Sequence, residues 1–125
     1  MVAEGLKGVS STANKVVTIT EDNDPNDLIG RPHGYESAAI IYDSEVSCDS
    51  LGSDCGVVVE VFTDGEEARA RAEYIQGILK DTPAFGPEWN YVKGSALVRV
   101  TGHLKPSSAA NYADAFGGEE VTSSN

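Results

Sequence analysis

The clearest hydrophobic pattern covers residues 57–80, VVVEVFTDGEEARARAEYIQGILK. β-branched and aromatic residues fill positions 57–62 apart from Glu60, and such a run predicts a strand. Asp64 then occupies a position typical of a helix N-cap, with Glu67 three residues later as in a capping box. The pattern therefore predicts a strand, a tight turn and a helix over 64–80. The apolar face of this helix is expected to contain Ala68, Ala72, Ile75 and Leu79, whereas Arg69, Arg71, Glu73 and Gln76 lie largely away from it.

Weaker patterns predict three further strands and a second helix. The strands cover residues 15–20, 37–43 and 91–101, and the last has a glycine near its start. The second helix begins at Pro106 or Ser107, and the Gly117-Gly118 pair ends it. Its apolar face consists of Ala109, Tyr112, Ala113 and Phe116.

The resulting order, β-β-β-α-β-α, indicates an α+β fold. We expect a four-stranded, mostly antiparallel sheet with both helices packed on one face and strands two and three forming a hairpin. Arg99 either faces solvent or pairs with Glu60 across the sheet. Residues 15–118 form a single domain, preceded by a flexible leader or tether at 1–14 and followed by a disordered tail at 119–125.

The chain has 125 residues, enough for one domain with one core. Its formal net charge is −11, and a surface this acidic repels nucleic-acid phosphates and anionic lipid headgroups. Composition therefore argues against a nucleic-acid partner and favours a soluble domain.

Two cysteines, Cys48 and Cys55, lie in the loop sequence SCDSLGSDCG. Their spacing is not CxxC, and two cysteines do not complete a structural zinc site. A disulfide closing the loop is the favoured interpretation and implies an oxidising compartment, hence export. Two free thiols in a cytosolic loop are the alternative. Neither a signal peptide nor an apolar run of about 18 residues is visible, so an export signal would lie upstream of this sequence.

The acidic stretch at residues 22–27 offers several oxygen ligands for calcium through Asp22, Asp24 and Asp27. It lacks the glycine and the distal glutamate of an EF-hand loop. Asx residues around a proline also build turns through bonds to their own backbone. A structural turn is therefore the first interpretation and a calcium site the second.

The segment 30–35, GRPHGY, brings Arg31, His33 and Tyr35 onto one loop that has the chemistry to bind a carboxylate or phosphate. A turn whose arginine pairs with a nearby carboxylate is the alternative. Trp89 lies among aromatic residues between the first helix and the fourth strand. It either packs over the sheet edge or anchors a partner. No GxSxG or HExxH motif is present, so we expect no enzyme.

Three segments together resemble a family of small secreted or lipid-anchored proteins of Gram-positive bacteria and their prophages. They are TEDNDPNDLIGRPHGY, VEVFTDGEEARARAEYIQGILK and YVKGSALVRVTGHLKPSSAANYADAF. The resemblance implies export and a lipid-attached cysteine ahead of a low-complexity tether, and it implies no catalytic residues. The positions that match its most distinctive segment are Asp24, Pro25, Asn26, Gly30, Arg31, Pro32 and Tyr35.

The leading hypothesis is a non-enzymatic binding domain outside the membrane, with a protein or cell-envelope partner and no cofactor. A prophage setting would give it a role against incoming phage, as in superinfection exclusion. Membrane contact is expected only through an N-terminal lipid anchor. The alternatives are an enzyme or calcium-dependent module that uses residues 22–35, and a purely structural cell-surface domain.

Overall fold

The computed structural model describes residues 13–20, 22–24, 29–30, 34–46, 48, 55–81 and 88–121. Its elements run in the order β-β-β-α-β-β-α-β. They are β1 (Ala13–Thr18), β2 (Ser37–Asp43), β3 (Gly56–Val61), α1 (Gly65–Asp81), β4 (Glu88–Lys93), β5 (Ala96–Thr101), α2 (Pro106–Phe116) and β6 (Glu119–Val121).

The strands form one open sheet in the order β1-β2-β3-β5-β4-β6, and every neighbouring pair is antiparallel. This confirms the α+β class, the antiparallel sheet and the β2–β3 hairpin, but the predicted number of four strands is wrong. The single strand expected at 91–101 is the β4–β5 hairpin, in which Lys93 lies opposite Ala96 across a Gly94-Ser95 turn. Part of the expected disordered tail is β6, which pairs with β4.

The two helices cover opposite faces of the sheet, so the prediction that both pack on one face is also wrong. Successive strand residues alternate between the two faces. On one face, Val58 and Leu97 share a core with Ile75 of α1. On the other, a separate core contains two valines from each of β3 and β5 together with residues of α2, namely Val57, Val59, Val98, Val100, Ala109, Tyr112 and Phe116.

Strand direction explains this arrangement. The antiparallel pairings make β3 parallel to β4, with α1 as their crossover, and β5 parallel to β6, with α2 as theirs. Both crossovers move the same way across the sheet, but β3 and β5 point in opposite directions. Because such crossovers are right-handed in nearly all proteins, the helices belong on opposite faces.

The predicted helix boundaries are confirmed at atomic level. The backbone N–H of Glu67 donates to Asp64 Oδ1 at 2.9 Å, so Asp64 caps α1. Gly117 ends α2 in the left-handed region at φ 74°, and its N–H donates to the carbonyl of Ala113.

A disulfide between Cys48 and Cys55 closes the connection from β2 to β3, with the two Cα atoms 5.0 Å apart. The predicted disulfide is therefore confirmed and the free-thiol alternative is wrong. Gly56 follows at φ 151°, and a Cβ there would lie 2.5 Å from the carbonyl oxygen of Ile41. A glycine is needed for β3 to start this close to β2.

The same connection holds the start of α2. Asp43 is buried and accepts a hydrogen bond from the Tyr112 hydroxyl at 2.8 Å. Glu45 accepts the backbone N–H of Lys105 at 2.7 Å and the hydroxyl of Ser108 at 2.8 Å. Lys105, the N-cap residue of α2, makes no side-chain cap, and Glu45 instead anchors this end of the helix from another part of the chain.

Candidate functional site

Tyr35 and Trp89, two of the predicted binding residues, lie on opposite faces of the sheet. Tyr35 is 1% exposed on the α1 face, where its ring meets Phe62 edge to face at 6.1 Å. Trp89 lies in β4, half-buried against the core of the α2 face. The structure therefore does not combine the two rings into one site. Arg31 and His33 lie outside the described residues.

Two described residues of the acidic stretch, Asn23 and Asp24, make the hydrogen bonds of a turn. Asn23 Oδ1 accepts the N–H of Thr20 at 2.6 Å. Asp24 accepts the N–H of Ile29 at 2.8 Å and the hydroxyl of Tyr35. Asp22 is exposed, and Asp27 lies outside the described residues. Within the described ranges, no three His, Cys, Asp or Glu side chains are grouped to hold a metal ion.

The most unusual polar arrangement is a charge cluster buried between α1 and the sheet. Arg99 of β5 donates to Glu88 through both Nε, at 2.8 Å, and Nη2, at 3.2 Å. Its Nη1 donates to Glu60 Oε2 at 3.1 Å. The Glu60 side chain is 0% exposed, so the predicted Glu60–Arg99 pairing is confirmed as a buried contact.

Amide side chains connect this cluster to α1. Asn90 donates to Glu88 Oε2 at 2.7 Å and accepts from Gln76 at 2.6 Å. Gln76 also donates to the Glu88 carbonyl at 2.9 Å. On the other flank of α1, Arg71 Nε lies 3.4 Å from Glu60 Oε1. We call Glu60, Arg71, Gln76, Glu88, Asn90 and Arg99 the buried polar network.

The electrostatics of the network keep Arg99 charged. Burial alone would lower the pKa of Arg99, but the carboxylates of Glu88 and Glu60 and their hydrogen bonds outweigh it and raise that pKa above its ordinary value. Every buried side-chain nitrogen or oxygen in the described part of the chain has a hydrogen-bond partner. A network this complete positions α1 on the sheet.

A second perturbed group lies on the α2 face. Burial, reinforced by the negative charges of Glu120 and Asp114, raises the pKa of Tyr91. Its hydroxyl therefore stays protonated to higher pH in the folded chain than in the unfolded chain.

Sequence reasoning missed most of the network. Arg71 and Gln76 were expected largely away from the apolar face of the helix, yet each reaches the sheet from one flank of α1. The sequence signal that could have revealed the network is the alternation of side chains along each strand. Glu60, Asn90 and Arg99 are polar residues in largely apolar strands, at positions that share one face of the sheet.

The surface that the network holds in place is the side of α1 turned away from the sheet. Tyr74 lies at its centre and is 62% exposed, the one large apolar side chain exposed among the described residues. Ala70 lies one turn before it and Gly77 one turn after it. Three exposed carboxylates complete what we call the outer face of α1, and they belong to Glu66, Glu73 and Asp81.

Compared with protein families, curated proteins and solved structures, the chain matches none. Neither helix in the described ranges has the length and apolar character needed to cross a membrane. The outer face of α1 combines the exposed Tyr74 ring with three carboxylates that form no ion pair with another described residue.

Proposed function

We propose that this chain is an extracytoplasmic, non-enzymatic binding domain derived from a lipoprotein. The observation that carries the proposal is the Cys48–Cys55 disulfide, which closes the β2–β3 connection. Disulfides persist in oxidising compartments and are rare in the reducing cytosol. The connection it closes also holds α2 through Asp43 and Glu45, so the oxidised loop is part of the folded framework.

The resemblance to lipid-anchored proteins of Gram-positive bacteria and their prophages supports a finer proposal. The domain is held at the outer surface by an N-terminal lipid anchor and acts against incoming phage through a protein or cell-envelope partner. The confirmed α+β fold with a buried polar network supports a rigid scaffold for such binding, since the network fixes α1 and its exposed Tyr74.

The test is expression in a Gram-positive host in two forms, one behind a lipoprotein signal peptide and one without it. The anchored form should lower the plating efficiency of temperate phages at unchanged adsorption, and the cytosolic form should not. Thiol alkylation of the anchored form should find Cys48 and Cys55 blocked until reductant is added. Free thiols in the anchored form, or equal plating on both hosts, would overturn the proposal.

A further inference from the structure

We propose that the outer face of α1 docks a basic, amphipathic helix of a protein partner, with Tyr74 as the anchor. This inference rests on the proposed binding function and names its surface and the chemistry of its partner. Three independent observations support it: the exposure of Tyr74, the glycine at position 77, and three carboxylates around them that form no ion pair with another described residue.

The packing of the fold does not explain why position 74 is a tyrosine. Its side chain points away from the sheet and stays 62% exposed, while α1 buries Ala68, Ala72 and Ile75 instead. Tyrosine is enriched among the residues that dominate binding energy at protein interfaces. Ala70 and Gly77, on either side of it along the helix, have small side chains or none, so the Tyr74 ring projects beyond its neighbours on the helix surface.

Gly77 lies inside a helix, where glycine costs about 1 kcal/mol relative to alanine. A Cβ built at this position meets no atom within 4 Å, so the fold leaves room for alanine. A glycine here instead clears space for an atom from outside. Two helices pack with axes about 8–10 Å apart, and small residues at the contact allow the lower end of that range.

Charge defines the partner. Glu66, Glu73 and Asp81 are exposed, and their carboxylates make no ion pair with any other described residue. Asp81 also lies in the last turn of α1, where a negative charge opposes the helix dipole. Helix stability does not explain that charge. A negatively charged face on a chain of net charge −11 attracts and orients a cationic partner.

The probe is a synthetic amphipathic helix of leucine and lysine, with a leucine and glutamate helix of the same pattern as its control. Amide chemical shifts of the isotope-labelled protein report where the probe binds. Shifts should centre on Ala70, Tyr74 and Gly77 with the lysine helix and be absent with the glutamate helix. Tyr74→Ala should weaken binding at least about tenfold, in line with an anchor residue.

Two further variants separate contact from general charge. Gly77→Leu should weaken binding by blocking close approach. Glu73→Lys should weaken binding more than Asp114→Lys, which makes the same charge change at an exposed position of α2.

Chemical shift changes spread evenly over acidic residues, or full binding by Tyr74→Ala, would overturn the inference. If phage plating falls as expected but the probe fails, only this inference is wrong. If the probe binds and plating is unchanged, the phage role is wrong.

Discussion

Arg99→Met is the sharpest test of how the buried polar network stabilises the fold. The change keeps an apolar chain of similar length but removes the cation that neutralises Glu60 and Glu88. The Glu60 side chain is fully buried, and in this variant its remaining cationic contact among the described residues is Arg71 at 3.4 Å. Removing one partner of a buried ion pair costs about 3–5 kcal/mol, because the other charge stays buried without compensation. We expect a loss in that range.

The measurement is urea unfolding at neutral pH with the disulfide intact. Arg71→Met is the matched control, because its side chain is nearly as buried as that of Arg99, 13% against 10% exposed, but its contact with Glu60 is longer, at 3.4 Å against 3.1 Å. We expect it to lose about 1 kcal/mol, the typical contribution of one hydrogen bond, because Glu60 keeps its 3.1 Å contact with Arg99.

A loss of stability in Arg99→Met no larger than that in Arg71→Met would refute this role of Arg99. The carboxylates would then have found solvent or other donors, and the network would not fix α1.

Three further outcomes are expected. Reducing the Cys48–Cys55 disulfide should lower the free energy of unfolding by roughly 2.5 kcal/mol. Amide exchange should rise in α2 before α1, because the closed connection caps α2; equal exchange would contradict that coupling. Since the pKa of Tyr91 is raised on folding, its stabilising contribution is complete below about pH 10 and declines as pH rises further. Melting temperatures should show this decline, and Tyr91→Phe should remove it. Gly117→Ala should lose about 1 kcal/mol in urea unfolding because Gly117 is left-handed, whereas Gly77→Ala should gain up to about 1 kcal/mol; a loss in both would show that backbone conformation is not the cause.

Local patterns predicted the elements whose signals lie within them. Strand β2 begins and ends where the apolar run 37–43 predicts, and Asp64 caps α1 as its spacing indicates. Each depends on neighbouring residues, so no tertiary information was needed.

The missed strands depend on pairing. Gly94-Ser95 is a two-residue hairpin turn, but the apolar residues on both sides also read as one long strand. Strand β6 has the sequence EEV, with one apolar residue, and forms because β4 offers an edge beside the end of α2. A polar segment of this kind carries no strand signal of its own.

The placement of the helices was available in the sequence. The runs AAII in β2, VVV in β3 and LV in β5 are apolar on both faces, which is typical of strands covered on both sides. The candidate site was harder to predict. Gln76 and Arg71 reach the sheet through long side chains from the flanks of α1, and helical periodicity cannot distinguish such contacts from solvent exposure.

The positions of the two edge strands determine how the molecule is displayed on a support. Strands β1 and β6 are five strand spacings apart, which is about 24 Å across the sheet. Helix α1 contacts β4, β5 and β6, so it lies toward the β6 side. Attachment to the support ahead of β1 therefore leaves α1, with Tyr74, at the far side of the sheet. Attachment after β6 brings α1 close to the support. Immobilisation for a sensor experiment should use the β1 side.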